Sequence, residues 1–285
     1  MVAALTATST SVWQPVSLEE ARALKKELDG VSRFIAGGTL MQMQREQGIA
    51  FPPHLISLER IRELADIEET VDRSIRIGAL TDLETCRTHS LIKRKCPVLG
   101  KAAGTIASPA VRNRGTLGGN ILYGVGDAIP ILLALDARLS WFCEGGIQSE
   151  PLAGFVDRKE APEEGAILTD IIIPSPVKGR CFFHKVGRRE AFIPSVVTVA
   201  MYVEVTGSNT VKMIRMAVGG GVNTPMRLKE CEEMVSGKQL TDGFMSGLAS
   251  RIKKESALIG DVFASADYRR TVAANLLVRE LQSVL

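Results

Sequence analysis

The chain has 285 residues, 45% of them hydrophobic and 24% charged, with a formal net charge of +3. That composition suits a soluble globular protein with ample core, in one large or two medium domains. Charges of both signs are interspersed, so the pI near 8.6 does not argue for nucleic acid, and no apolar run reaches membrane-span length. The N-terminus has neither a basic region nor a continuous apolar stretch, so no signal peptide is expected. The five cysteines and three histidines are scattered without ligand spacing. They fit reduced thiols in a cytoplasm and argue against a disulfide frame, a metal site or an iron–sulfur cluster on this chain.

Residues 1–12 are small and polar, and a loose start is expected. Ser17 and Glu20 have capping-box spacing and predict a helix with Leu18, Ala21, Leu24 and Leu28 on one face, ended at Gly30. A short strand over 33–36 enters a Gly-Gly turn, and a helix over 40–47 follows. Strands are expected at 55–58 and 74–79, with helices from Thr81 or Asp82 to Thr88 and over 97–103. Residues 131–135 form a buried run, and 139–142 and 166–173 read as strands. Pro174-Ser175-Pro176 is the best boundary signal. Beyond it, strands at 181–186, 196–205 and 211–218 precede helices at 227–235, 242–254 and 268–284. The last helix offers Tyr268, Val272, Leu276 and Leu281 for packing. Strands segregated from helices indicate α+β for this part. The glycines at 219–221 are expected to make a bulge or tight turn.

Two stretches carry chemistry. In Phe34-Ile35-Ala36-Gly37-Gly38-Thr39-Leu40-Met41 a strand feeds a tight turn and a helix start, the arrangement that presents backbone N–H groups to an anion. The second follows Arg112-Asn113-Arg114 and runs Thr116-Leu117-Gly118-Gly119-Asn120, with an isolated acid at Asp127. A Gly-Gly pair lets the backbone approach a ligand, successive amides can form a phosphate nest, and a following carboxylate can accept ribose hydroxyls. Together they suggest a nucleotide-shaped ligand. Neither stretch is a Walker loop or a G-x-G-x-x-G fingerprint.

AGGTLM followed by IASPAVRNRGTLGGN and a nearby Gly-Asp resembles the flavin-binding subunit of the molybdenum hydroxylase (xanthine dehydrogenase) family, as do the motifs HKVGRR, AVGG with TPMR, and ASADYRR farther on. The resemblance spans nearly the whole chain. It implies an α+β fold: a two-lobed FAD-binding domain of the vanillyl-alcohol-oxidase (PCMH) type over 1–175 and a smaller α+β domain over 176–285. It also implies that the FAD pyrophosphate lies against Phe34 to Met41 and Thr116 to Asn120, and that Asp127 takes ribityl or ribose hydroxyls. The segment before Asp127 is about two residues shorter than is usual in the family. Ile106 would cover one face of the isoalloxazine, Thr169 would pass the other side, and Lys185 would stand at the N1–C2=O edge. Arg188 and Arg189 match the family's basic pair. No catalytic acid or base is expected here. The resemblance places a molybdenum cofactor on a large partner and two [2Fe–2S] clusters on a small one, in a dimer of heterotrimers with NAD as the expected acceptor. Xanthine or a related purine is the preferred substrate of the complex, with aldehydes, carbon monoxide and N-heterocycles left open. A stand-alone flavin oxidase and a scaffold that has lost FAD are the readings of a different class.

Overall fold

The computed structural model describes residues 9–28, 30–174, 178–187, 195–207 and 210–284. Arg188 and Arg189, and Ser175 and Pro176 of the boundary signal, lie outside the described residues.

The first lobe contains β1 (Ser11–Trp13), α1 (Leu18–Glu27), β2 (Ser32–Ile35), α2 (Thr39–Glu46) and β3 (His54–Ser57), with a parallel sheet in the order β1-β3-β2. Ser17 caps α1 by accepting from the Glu20 amide, and the Glu20 carboxylate reaches back to the Val16 amide, so the expected box closes one residue early. Ala21 and Leu18 are buried against Ile56, Leu58, Ile61 and Leu64.

The second lobe runs through β4 (Ile67–Glu69), β5 (Ile75–Gly78) and a helical series: α3 (Leu83–Thr88), α4 (Ser90–Lys95), α5 (Pro97–Thr105), α6 (Pro109–Arg112), α7 (Leu117–Leu122) and α8 (Ile129–Ala134). It closes with β6 (Arg138–Cys143), β7 (Gly146–Pro151), α9 (Leu152–Arg158) and β8 (Ile167–Ile173), in an antiparallel sheet ordered β4-β5-β8-β6-β7. Asp82, not Thr81, caps α3, its Oδ1 accepting from the Thr85 amide at 2.7 Å. The apolar run at 131–135 falls in the end of α8, whose residues are all buried, and in its C-cap Leu135. The strand expected at 139–142 is β6, whereas its hairpin partner β7 and the helix α9 have no counterpart in the sequence reading; the hairpin turns at Glu144-Gly145, with Cys143 paired to Gly146.

The third part is an antiparallel meander, β9 (Arg180–Val186), β10 (Val197–Val205), β11 (Val211–Gly220) and β12 (Asn223–Arg227), followed by α10 (Lys229–Val235), α11 (Asp242–Glu255) and α12 (Ala266–Gln282). β10 reads as a continuous apolar run because both its faces are covered. Val197, Val199, Met201 and Val203 pack with the three helices, whereas Ala200 and Tyr202 join the core of the second lobe. One side of the sheet thus closes over α5 and α8, and that contact positions the site described below.

Two expectations are corrected. The helix expected from Arg227 starts at Lys229, because Arg227 ends β12 opposite Ala217 and its guanidinium pairs with Glu232. In α12 the expected Leu281 is buried and Val272 and Leu276 pack partly buried against the same core, but Tyr268 is 49% exposed and Arg269, Ala273, Ala274 and Leu277 complete the buried stripe. A buried arginine, invisible to a hydrophobic pattern, takes the first packing position in place of Tyr268. The glycine run behaves as expected. Gly220 and Gly221 have φ of 109° and 63°, and the β11–β12 register shifts between Val218 and Gly220.

Candidate cofactor site

The first loop leaves β2 and enters α2 through Gly38, which is left-handed at φ 69° and occupies the N-cap with no side chain to satisfy the helix start. The backbone amides of Gly37, Gly38, Thr39, Leu40 and Met41 have no acceptor among the described residues. A run of unsatisfied amides at a helix N-terminus is an anion cradle. No residue of α2 is buried, and Phe34, Ile35, Leu40 and Met41 are all half-exposed around it. A polar, electropositive loop rimmed by apolar side chains fits a dinucleotide.

The second loop lies directly on the first. A Cβ on Gly37 would fall 1.6 Å from the carbonyl oxygen of Arg114, and one on Gly115 would touch the Thr39 hydroxyl at 3.4 Å. Its amides are used internally, unlike the phosphate nest expected there. Leu117 donates to the Thr81 carbonyl, Gly118 to Ala79, Gly119 to the Thr116 hydroxyl and Asn120 to the Thr116 carbonyl. Thr116 is therefore a helix cap, and Leu117 is fully buried. The second Gly-Gly pair serves close packing: a Cβ on Gly118 would stand 2.6 Å from the Ala79 carbonyl oxygen. The Asn120 side chain turns to the chain, its Oδ1 accepting from the Ala128 amide at 3.1 Å. That bond closes the short segment that carries Asp127.

Asp127 and Lys185, 58 residues apart in sequence, meet. Lys185 Nζ lies 2.9 Å from Asp127 Oδ2 and donates to the Thr105 carbonyl at 2.8 Å. The lysine side chain is 3% exposed and the aspartate 12%. Thr105 ends α5, and the next two carbonyls, of Ile106 and Ala107, accept from the buried Arg112 guanidinium. Ala107 has φ 45°, an uncommon conformation for a residue with a Cβ, held by those bonds. Ile106 itself is buried in the second-lobe core. Thr169 is buried in β8 with its hydroxyl donating to the Ser140 carbonyl, so its side chain is committed to the sheet.

Sequence reasoning missed Arg112 as a structural residue. It stood out only as part of a basic approach, whereas its Nε pairs with Glu84 at 2.9 Å. Hydrogen bonds from Arg87 and Arg112 hold the Glu84 carboxyl down to about 2. Burial pushes the Cys86 and Cys96 thiols up to about 12 and Cys181 to about 11, so none is poised as a nucleophile. Among the described residues no group of three His, Cys, Asp or Glu side chains is placed to hold a metal ion.

The fold and this cradle define an α+β protein with an anion-binding loop on its first lobe. Residues 7–176 match the family described as FAD binding domain in molybdopterin dehydrogenase, and 182–284 match the CO dehydrogenase flavoprotein C-terminal domain. The chain belongs to this family of FAD-binding dehydrogenase subunits. It is 30% identical over 236 residues to the nicotinate dehydrogenase FAD-subunit of Eubacterium barkeri, covering 80% of this chain and 79% of that one. It is 27% identical over 245 residues to the xanthine dehydrogenase FAD-binding subunit of Escherichia coli O157:H7, covering 84% and 83%. In structure it is similar to a chain of the carbon monoxide dehydrogenase of Hydrogenophaga pseudoflava, with a TM-score of 0.88, 28% identity and 95% of each chain covered.

Proposed function

We infer that this chain is the FAD-carrying electron-transfer subunit of a molybdenum hydroxylase complex. In this reading a large partner holds the molybdenum cofactor, a small partner holds two [2Fe–2S] clusters, and the whole is a dimer of heterotrimers in the cytoplasm, with NAD as acceptor. FAD held here would supply the change from one-electron acceptance to two-electron delivery. The observation that carries the reading is the row of unsatisfied amides from Gly37 to Met41, pressed against the second loop at Arg114. Those amides would face the pyrophosphate, Asp127 the ribityl or ribose hydroxyls, Ile106 one face of the ring and Lys185 its N1–C2=O edge. Thr169 would contribute backbone only, since its hydroxyl is engaged.

The substrate is a property of the molybdenum-bearing partner. Purine oxidation is the first reading to test. Relatives named for nicotinate and xanthine match comparably, at 30% and 27% identity, so this chain's residues favour neither.

The direct test is to purify the chain, record its visible spectrum and identify the released cofactor. One FAD per chain supports the reading; a folded, colourless protein that takes up no added FAD overturns it. Affinity capture from the native source then asks for iron- and molybdenum-bearing partners, and a lone flavoprotein that oxidises substrate by itself would replace the complex with a stand-alone oxidase. Reduction of NAD by the substrate-reduced complex tests the acceptor.

A further inference from the structure

Asp127 is fixed from the C-terminal part of the chain, through a residue that no motif singles out. Its Oδ2 faces Lys185 Nζ, and its Oδ1 accepts from the Ser195 hydroxyl at 2.5 Å. Ser195, 4% exposed, accepts in turn from the Gly221 amide at 3.2 Å. A hydroxyl has a single proton. With the Gly221 N–H pointing at the oxygen, that proton is directed to the carboxylate, which makes the link one-way: Gly221 to Ser195 to Asp127.

The surroundings are built to hold it. Gly221 is left-handed, and a Cβ there would lie 2.7 Å from the Arg269 guanidinium. Arg269, 1% exposed, donates to the carbonyl of Val196, the residue next to Ser195, and pairs with Asp261 at 2.5 Å. The glycine run and the buried arginine of α12 thus converge on Ser195.

We propose that Ser195 is a positioning residue for FAD, orienting the Asp127 carboxylate so that its remaining lone pairs meet a cofactor hydroxyl. The proposal rests on the function inferred above. Its consequence is that the FAD-binding domain alone does not make the full site: the acid comes from the segment after α7, and both of its anchors come from beyond β8.

The experiment is an FAD titration of the full-length chain stripped of flavin, comparing wild type, Ser195→Ala, Ser195→Thr, Asp127→Ala and the Ser195→Ala/Asp127→Ala double variant, with melting curves to show each is folded. Losing one charge-assisted hydrogen bond to Asp127 is expected to raise the Kd of Ser195→Ala roughly tenfold. Ser195→Thr restores most of the affinity. In the Asp127→Ala background the serine change adds less than about twofold, because its effect passes through the missing carboxylate. An unchanged Kd for Ser195→Ala, or additive losses in the double variant, overturns the positioning role while leaving FAD binding intact. Failure of the wild type to bind FAD overturns the functional reading, and this role with it.

Discussion

A Cβ on Gly37 would stand 1.6 Å from the carbonyl oxygen of Arg114, so the two glycine-rich loops meet backbone to backbone. The contact holds the amide row of the first loop beside the segment that leads to Asp127. No side chain fits between them, and no flexible neighbour is there to yield.

Gly37→Ala is therefore expected to push the loops apart, costing about 1–3 kcal/mol of stability as other overpacked sites do, and to abolish FAD uptake. Gly243→Ala is the control. A Cβ at Gly243 meets nothing within 4 Å and the residue lies within α11, so the change should be neutral or stabilising by about 0.5–1 kcal/mol. Urea melts and FAD titration of both variants check the pair.

Lys185 is 3% exposed and faces a carboxylate, so Lys185→Met leaves Asp127 without its counter-charge. The expected loss is about 3–5 kcal/mol, typical of breaking one side of a buried pair. Lys185→Met/Asp127→Leu should recover part of that loss, because no unpaired charge remains. Chemical denaturation of the two variants measures it. Equal losses would show that the lysine acts through its bond to the Thr105 carbonyl instead.

Arg269 joins Asp261 to the Val196 carbonyl from a position 1% exposed. Arg269→Met is expected to lower the melting temperature by several degrees, the result of losing about 3 kcal/mol or more. Arg269→Lys should not rescue it, since one ammonium on a shorter reach does not reproduce the two-sided guanidinium contact. Differential scanning calorimetry distinguishes the two.

Acid stability should show the Glu84 cluster. Hydrogen bonds from Arg87 and then Arg112 lower its carboxyl from 4.5 to about 2. A carboxyl depressed on folding adds stability above its unfolded value and loses it as pH falls through the folded value. Stability should therefore decline between about pH 4.5 and about pH 2 in wild type, and Glu84→Gln should decline less steeply over that window. Melting temperature against pH, compared between the two proteins, gives the slopes.

By itself, the sequence determined what depends on neighbours along the chain. The cap at Ser17, a helix start at Thr81 or Asp82, the tight turn at Gly37-Gly38 and the glycine bulge at 219–221 follow from local chemistry, and so does the resemblance carried by the two loops. A strand at 196–205 was legible, but which of its sides met the helices was not, since both sides are covered. Tertiary structure decided the rest. Which loop keeps free amides depends on whether Thr81 and Ala79 lie within reach of Leu117 and Gly118. The Asp127–Ser195 bond joins residues 68 apart, and the Lys185–Thr105 bond joins residues 80 apart. Such pairings arise from sheet register and the packing of β9 to β12 over α5 and α8. A period or a cap encodes a preference within a few residues, whereas a hydrogen bond across a closed core exists only once every element between its ends has taken its place.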